Sequence, residues 1–401
     1  MRTVPISSVA DIIRGVTFGQ SEVSTPEDED ALPVIRAMNI LEDGKLSFDD
    51  LLYVDSARIN NRQKIRQGDV VIAASTGSKK VIGKAAQATS DWKGGFGGFC
   101  MVLRPTDEIN SKYFGYFFQT KAYRQQISHM SSGANINNLK KRHFDELKIA
   151  IPSAEDQKRI VSLLDQADAL RRKRKESIKL LDEYVQSVFM EMFGDPVTNP
   201  KSWQEKKLSD VLEKIESGWS PKCSDVPASE NNWGVLKLSA VTSCNYKDQQ
   251  NKGLLASDQP RSLIEVKDGD LLFSRKNTYD LVAASCYVFE TRHKLMLSDL
   301  IFRLVLKKNE VLPIFLWKVL SHHGKRKKIQ ALAGGSAGSM PNISKEKLRT
   351  AKIFIPPITL QKKFEEIVLN TRALEKTMLI QSIELDNQFN TLMQKAFAGS
   401  L

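Results

Sequence analysis

Cysteine is scarce in this chain. Its four copies, Cys100, Cys223, Cys244 and Cys286, are scattered over 401 residues without CxxC spacing. That argues against a disulfide scaffold and fits a cytosolic protein with reduced thiols. Long apolar runs are missing too, so the sequence offers no membrane span. The opening MRTVPISSVADIIRG lacks the apolar core of a signal peptide.

Recognisable catalytic motifs are missing as well. Gly77 to Lys84 imitates a phosphate loop, but five residues separate the glycines where four are required, and Ala85 stands where Ser or Thr would hold a metal. Gly94-Gly95-Phe96-Gly97-Gly98 precedes a strand-like run instead of opening a helix after one, and reads as a flexible turn, not a dinucleotide loop. The histidines, His129, His143, His293, His322 and His323, have no Cys or carboxylate partners at zinc spacing. Asn199-Pro200-Lys201-Ser202 and Ile355-Pro356-Pro357 both fail the Asn-Pro-Pro-aromatic pattern of amino-methyltransferases.

What is present is charge and repetition. The net charge of +12 suits a polyanionic partner, although many soluble proteins share it. It is unevenly spread: residues 1–200 carry 28 basic and 26 acidic side chains, and 201–401 carry 31 and 21. From Ala154 to Phe193 no Pro or Gly occurs. Alternating steps of four and three select Ile160, Leu164, Ala167, Arg171, Arg174, Ile178, Leu181, Val185, Val188 and Met192, a heptad seam. Such a helix is a rod of roughly 60 Å. Adding 204 to each number gives Phe364, Val368, Thr371, Glu375, Met378, Ser382, Leu385, Phe389, Leu392 and Ala396, a second seam. The flanks repeat also. Ile149-Ala150-Ile151-Pro152 is echoed by Ile353-Phe354-Ile355-Pro356, Gln157-Lys158 by Gln361-Lys362, and Gly68-Asp69 by Gly269-Asp270. Matches in one order and nearly one offset mean a duplicated domain.

The chain therefore divides into a module at 1–152, a long helix at 153–194, a second module at 195–357 and a second long helix at 358–401. Met1 to Ser21 reads as a short amphipathic segment and a turn. Strand-like runs at Pro33–Ile40, Asp69–Ala74, Phe99–Leu103 and Leu147–Ile151 make the module mixed and mainly β, and Tyr113–Met130 reads as helical. The fold class is α+β. The matching seams predict two helices packed as an antiparallel coiled coil with pseudo-two-fold symmetry. That packing brings Arg171 or Arg174 near Glu375, either as a register-setting polar layer or as side chains snorkelling to water. The run Arg171 to Lys175 reads first as a solvated helix face.

Basic and polar loops recur at equivalent places. Ser75, Thr76, Ser78, Lys79 and Lys80 follow the first Gly-Asp strand; Ser274, Arg275, Lys276 and Asn277 follow the second. Arg36 and Lys237 end matching strands, and Lys325, Arg326 and Lys327 lead towards GGSAGS. Cations neutralise phosphates, and amides and hydroxyls read base edges. Singly, each is an ordinary surface loop. Recurrence in both repeats singles them out as candidate DNA contacts.

The doubled order of these motifs, with the ending Leu392-Met393-Gln394-Lys395-Ala396-Phe397-Ala398-Gly399-Ser400-Leu401, resembles the specificity (S) subunit of Type I restriction-modification systems over the whole chain. One departure is Thr359-Leu360 before Gln361, where an acidic residue is common in that family. The resemblance implies two target recognition domains, each reading half of a split double-stranded DNA site, with the helices as a ruler. It implies two methyltransferase (M) subunits carrying S-adenosylmethionine and restriction (R) subunits using ATP and Mg²⁺. This chain would carry no cofactor and no catalytic residue, and would act in a prokaryotic cytoplasm. The alternatives are an enzyme with an unrecognised site, an orphan DNA-binding protein, or a coiled-coil scaffold.

Overall fold

Residues 2–76, 78, 81–132, 138–307, 309–334 and 340–401 are described by a computed structural model of the chain. One unit comprises Met1–Glu176 with Ile380–Leu401, and the other Ser177–Leu379. Each unit thus holds one module and part of each long helix.

In the first unit, Ala10–Arg14, Cys100–Pro105, Val70–Ala73 and Ala85–Gln87 form, in that order, a four-stranded antiparallel sheet. Val70–Ala73 is buried at every position because the sheet is covered on both faces. Val70 and Ile72 point into a core with Phe114, Leu164 and Phe389. Val71 and Ala73 point the other way, towards Ile35 and Phe96, as the two-residue period of a strand requires. Leu52–Asp55, Ala31–Ile35 and Gly95–Phe96 make a three-stranded sheet whose last pair is parallel. Arg2–Pro5 pairs antiparallel with Lys148–Ile151 immediately before the long helix.

The second unit repeats this plan strand for strand. Leu212–Ser217, Ile301–Leu306, Leu271–Ser274 and Ser285–Tyr287 form the four-stranded sheet. Asn251–Gly253, Gly234–Leu236 and Leu295–Met296 form the three-stranded one, and Gln204–Lys207 pairs with Lys352–Ile355.

The repeated Gly-Asp pairs now have a physical reason. Gly68 and Gly269 sit at φ +88° and +91°, a turn conformation open to glycine. The aspartates accept the turn amides of Arg66 and Lys267. Each also receives an arginine from the neighbouring strand: Arg104 bonds Asp69 twice at 2.8 Å, and Arg303 bonds Asp270 at 2.9 Å.

Two expectations change in detail. Tyr113–Met130 is helical in two pieces, Ser111–Phe117 and Lys121–Ser132, parted where the Thr120 hydroxyl bonds the Phe117 carbonyl and accepts the Tyr123 amide. The amphipathic opening resolves into the strands Arg2–Pro5 and Ala10–Arg14.

The long helices run uninterrupted over Ala154–Phe193 and Ile358–Ala398, and no seam position is exposed. Within the first unit their segments run antiparallel: Ile160 and Leu164 share a core with Phe389, Met393 and Ala396, while Lys175 bonds Asp386 at 3.0 Å. Within the second unit, Phe189 and Phe193 meet Phe364 edge-on. Arg171 lies over the Phe389 ring, 4.2 Å from its centroid, and pairs with Asp168 and Asp386, whereas Glu375 pairs with Arg372. Packing around Phe389 sets the neighbours of Arg171 within its own unit.

A buried glutamine joins each module to its helix. Gln157 accepts the amide of Asn110, the N-cap of the module's first helix, and donates to the Pro152 carbonyl. Gln361 accepts the amide of the corresponding N-cap, Leu312, and donates to the carbonyls of Glu310 and Pro356. Gln361→Ala leaves that buried amide unsatisfied, and should destabilise the second unit by about 1–3 kcal/mol. Urea unfolding reads this directly; a change within error means that water or a shifted neighbour replaces the amide.

Candidate nucleic-acid interface

In the first unit, Arg36, Ser75 and Thr76 come together. With Thr17, Met38, Gly98 and Phe99 they line a cleft of about 820 Å³ where the two larger sheets meet. Arg36 follows Ala31–Ile35, and its Nη2 donates to the Asp50 carbonyl. Its Nε is buried without a partner among the described residues. Ser75 bridges to Asn138, and the Thr76 hydroxyl accepts the amide of exposed Ser78. Lys79 and Lys80 lie outside the described residues.

The second unit places its candidates differently. Lys237 follows Gly234–Leu236 as Arg36 follows its strand. Arg275 and Lys276 are half-buried beside Asn342, with Arg275 Nε donating to the Asn342 side chain at 3.1 Å. Ser274 and Asn277 are buried, because the strand and its first turn sit under the sheet's neighbours.

The run of cations after His323 is not an open basic patch. Lys325 is buried and donates to the Pro196 carbonyl, Lys328 donates to the Val197 carbonyl, and Arg326 holds the carbonyls of Asp280 and Val282. Burial lowers the Lys325 pKa. These cations close off backbone acceptors within their own unit, while Lys327 is exposed.

The glycine run also departs from expectation. Gly95-Phe96 is a strand, not a flexible turn, parallel to Val34–Ile35, because Phe96 is buried between the sheets. Sequence reasoning overlooked Met38, Phe99, Ser220 and Asp299. In the second unit Ser220 bonds Asp299 on turns corresponding to those that carry Thr17 and Gly98. For Ser220 the available signal was the nearby Gly218, which, like Gly15 before Thr17, sits where an added Cβ would come within 2.1 Å of a carbonyl oxygen, that of Leu297 and of Gly97 respectively.

Among the described residues, no group of three or more His, Cys, Asp or Glu side chains is placed to hold a metal. Burial pushes the Cys100 thiol up to about 12 and raises that of Cys286, which makes them poor nucleophiles at neutral pH. No helix among the described residues is long and apolar enough to cross a membrane.

The family model for the Type I restriction modification DNA specificity domain matches residues 1–180 and 200–385. The Type I restriction enzyme EcoKI specificity subunit of Escherichia coli K12 is 30% identical over 99% of this chain and 88% of that protein. The StySPI specificity subunit of Salmonella potsdam is 27% identical over 100% and 89%. Two solved structures share the fold. One is a chain from a study of complex assembly and conformational transition of the type I R-M system, with TM-score 0.59 and 17% identity over 100% of this chain and 98% of that chain. The other is the S subunit from M. genitalium, with TM-score 0.55 and 16% identity over 99% and 96%. A doubled module, a doubled helix and this doubled family match together make the chain a member of the Type I restriction-modification DNA specificity family.

Proposed function

We propose that this chain is the non-catalytic DNA-reading subunit of a Type I restriction-modification complex, and that each unit reads one half of a bipartite double-stranded site. The observation that carries this is a single module built twice with different side chains at equivalent positions: Arg36, Met38 and Phe99 in the first, Lys237, Ser239 and Leu300 in the second. One scaffold then offers two different sets of contacts to base edges. The long helices, packed as a pseudo-two-fold antiparallel pair, set the gap between the half-sites and dock two methyltransferase subunits. In support, Leu170 and its repeat equivalent Leu374 are 59% and 50% exposed on the helices, a surface suited to a partner's apolar side chains. S-adenosylmethionine, ATP and Mg²⁺ belong to the methyltransferase and restriction subunits in this reading.

The test is co-expression with the methyltransferase subunits and mapping of methylated adenines. We expect one split motif. Exchanging one module should change one half, and removing a matched heptad from both helices should change the gap. A continuous motif, or none, would favour an orphan DNA-binding or scaffold role.

A further inference from the structure

Phe99 and Met38 are 72% and 58% exposed. Scattered exposed apolar residues are ordinary on protein surfaces, but these two share a cleft with Arg36 and are presented on pinned backbone. The Phe99 carbonyl accepts the amides of Ala74 at 2.8 Å and Ser75 at 3.0 Å, and the Cys100 amide closes the turn onto Gly97 at 2.8 Å. Met38 sits in the 3-10 turn Ala37–Asn39. The Asn39 side chain holds that turn, accepting the Arg36 amide at 2.9 Å and donating to the Asp49 carbonyl at 2.7 Å. With the backbone already ordered, contact made by these tips loses less to conformational entropy.

We infer that Phe99 and Met38 read thymine through its 5-methyl group in the half-site bound by the first unit. This rests on the DNA-reading role proposed above. Thymine is the base that presents a methyl group in the major groove, and apolar side chains are what recognise it. Arg36, which lines the same cleft, supplies the positive charge that a polyanion requires. The second unit presents less apolar surface at the equivalent positions. The equivalents of Phe99 and Met38 are Leu300, half-buried, and Ser239, with Asp299 exposed beside Ser220. The exposed apolar pair is therefore a feature of the first unit.

The experiment uses the complex co-expressed with its methyltransferase subunits and duplexes carrying the mapped motif, at one salt concentration. Thymines in the first unit's half-site are replaced singly by uracil, which keeps the O4 acceptor and loses the methyl. At least one replacement should weaken wild-type binding about fourfold, as expected for one buried methyl. Phe99→Ala or Met38→Ala should weaken binding to the thymine duplex and abolish the difference at that position, and Phe99→Leu should restore part of it. Thymines of the other half-site should respond equally in wild type and variants. Unchanged thymine-over-uracil preference in both alanine variants overturns the inference. So does equal weakening on both duplexes, or a first half-site without an A·T pair. A wild-type complex with no sequence preference instead refutes the DNA-reading role itself.

Discussion

Arg303→Ala should destabilise the second unit by about 3–5 kcal/mol, the usual cost of removing one partner from a buried charge network. The Arg303 side chain is 10% exposed and bonds two carboxylates and two carbonyls: Glu216 at 2.6 Å, Asp270 at 2.9 Å, Glu265 at 2.7 Å and Leu263 at 3.0 Å. No other cation among the described residues is recorded bonding Asp270. A unit of this size loses roughly 2–4 °C in Tm per kcal/mol, so a fall of about 10 °C is expected. The pH dependence has a definite sign. Burial raises the pKa of Asp270 even with Arg303 present. A carboxyl whose folded pKa is raised opposes folding when it ionises, so its contribution falls as pH rises through that value. Removing Arg303 raises the value further, and the variant's deficit should shrink between pH 8 and pH 5. Thermal unfolding at both values decides it; a pH-independent deficit would mean that Asp270 finds another partner.

Phe364→Ala should cost about 3–5 kcal/mol, again confined to the second unit. Phe364 is fully buried, with its ring centroid 5.5 Å from that of Phe189 and 5.4 Å from that of Phe193. These rings continue to Phe315 and Phe354, so the cavity has large, rigid walls and little means of collapse. At the equivalent first-unit position the residue is Ile160, and Ile160→Val should cost only about 0.5–1.5 kcal/mol. Urea unfolding of both variants gives the comparison. Similar values for the two would show that the aromatic cluster relaxes around the hole.

The duplication and the long helices were readable because a heptad seam is periodic over forty residues, and every seam residue named from the pattern is buried or half-buried. The pattern missed Phe189, Phe193 and Met393, which are buried, because the apolar stripe widens where a module packs against the helix. Gly-Asp and Gln-Lys were visible as repeated letters, but their reasons lay in partners distant along the chain, Arg104 and Arg303 for the first, Asn110 and Leu312 for the second. The interface was least readable. Basic letters look alike in sequence, yet Lys325 is buried against the Pro196 carbonyl while Arg36 opens on a cleft. Whether a charge meets solvent or its own backbone is decided by tertiary packing.

The glutamine joints have a consequence for heredity. Gln157 and Gln361 grip their modules through main-chain atoms alone, an amide at the head of a short helix and the carbonyls beside it. Every amino acid except proline supplies that amide, and all supply the carbonyl. Exchange of the module's side chains, or transplantation of a whole module between genes, leaves the clasp intact. Mutation can search for new targets while the attachment stays under no pressure to change.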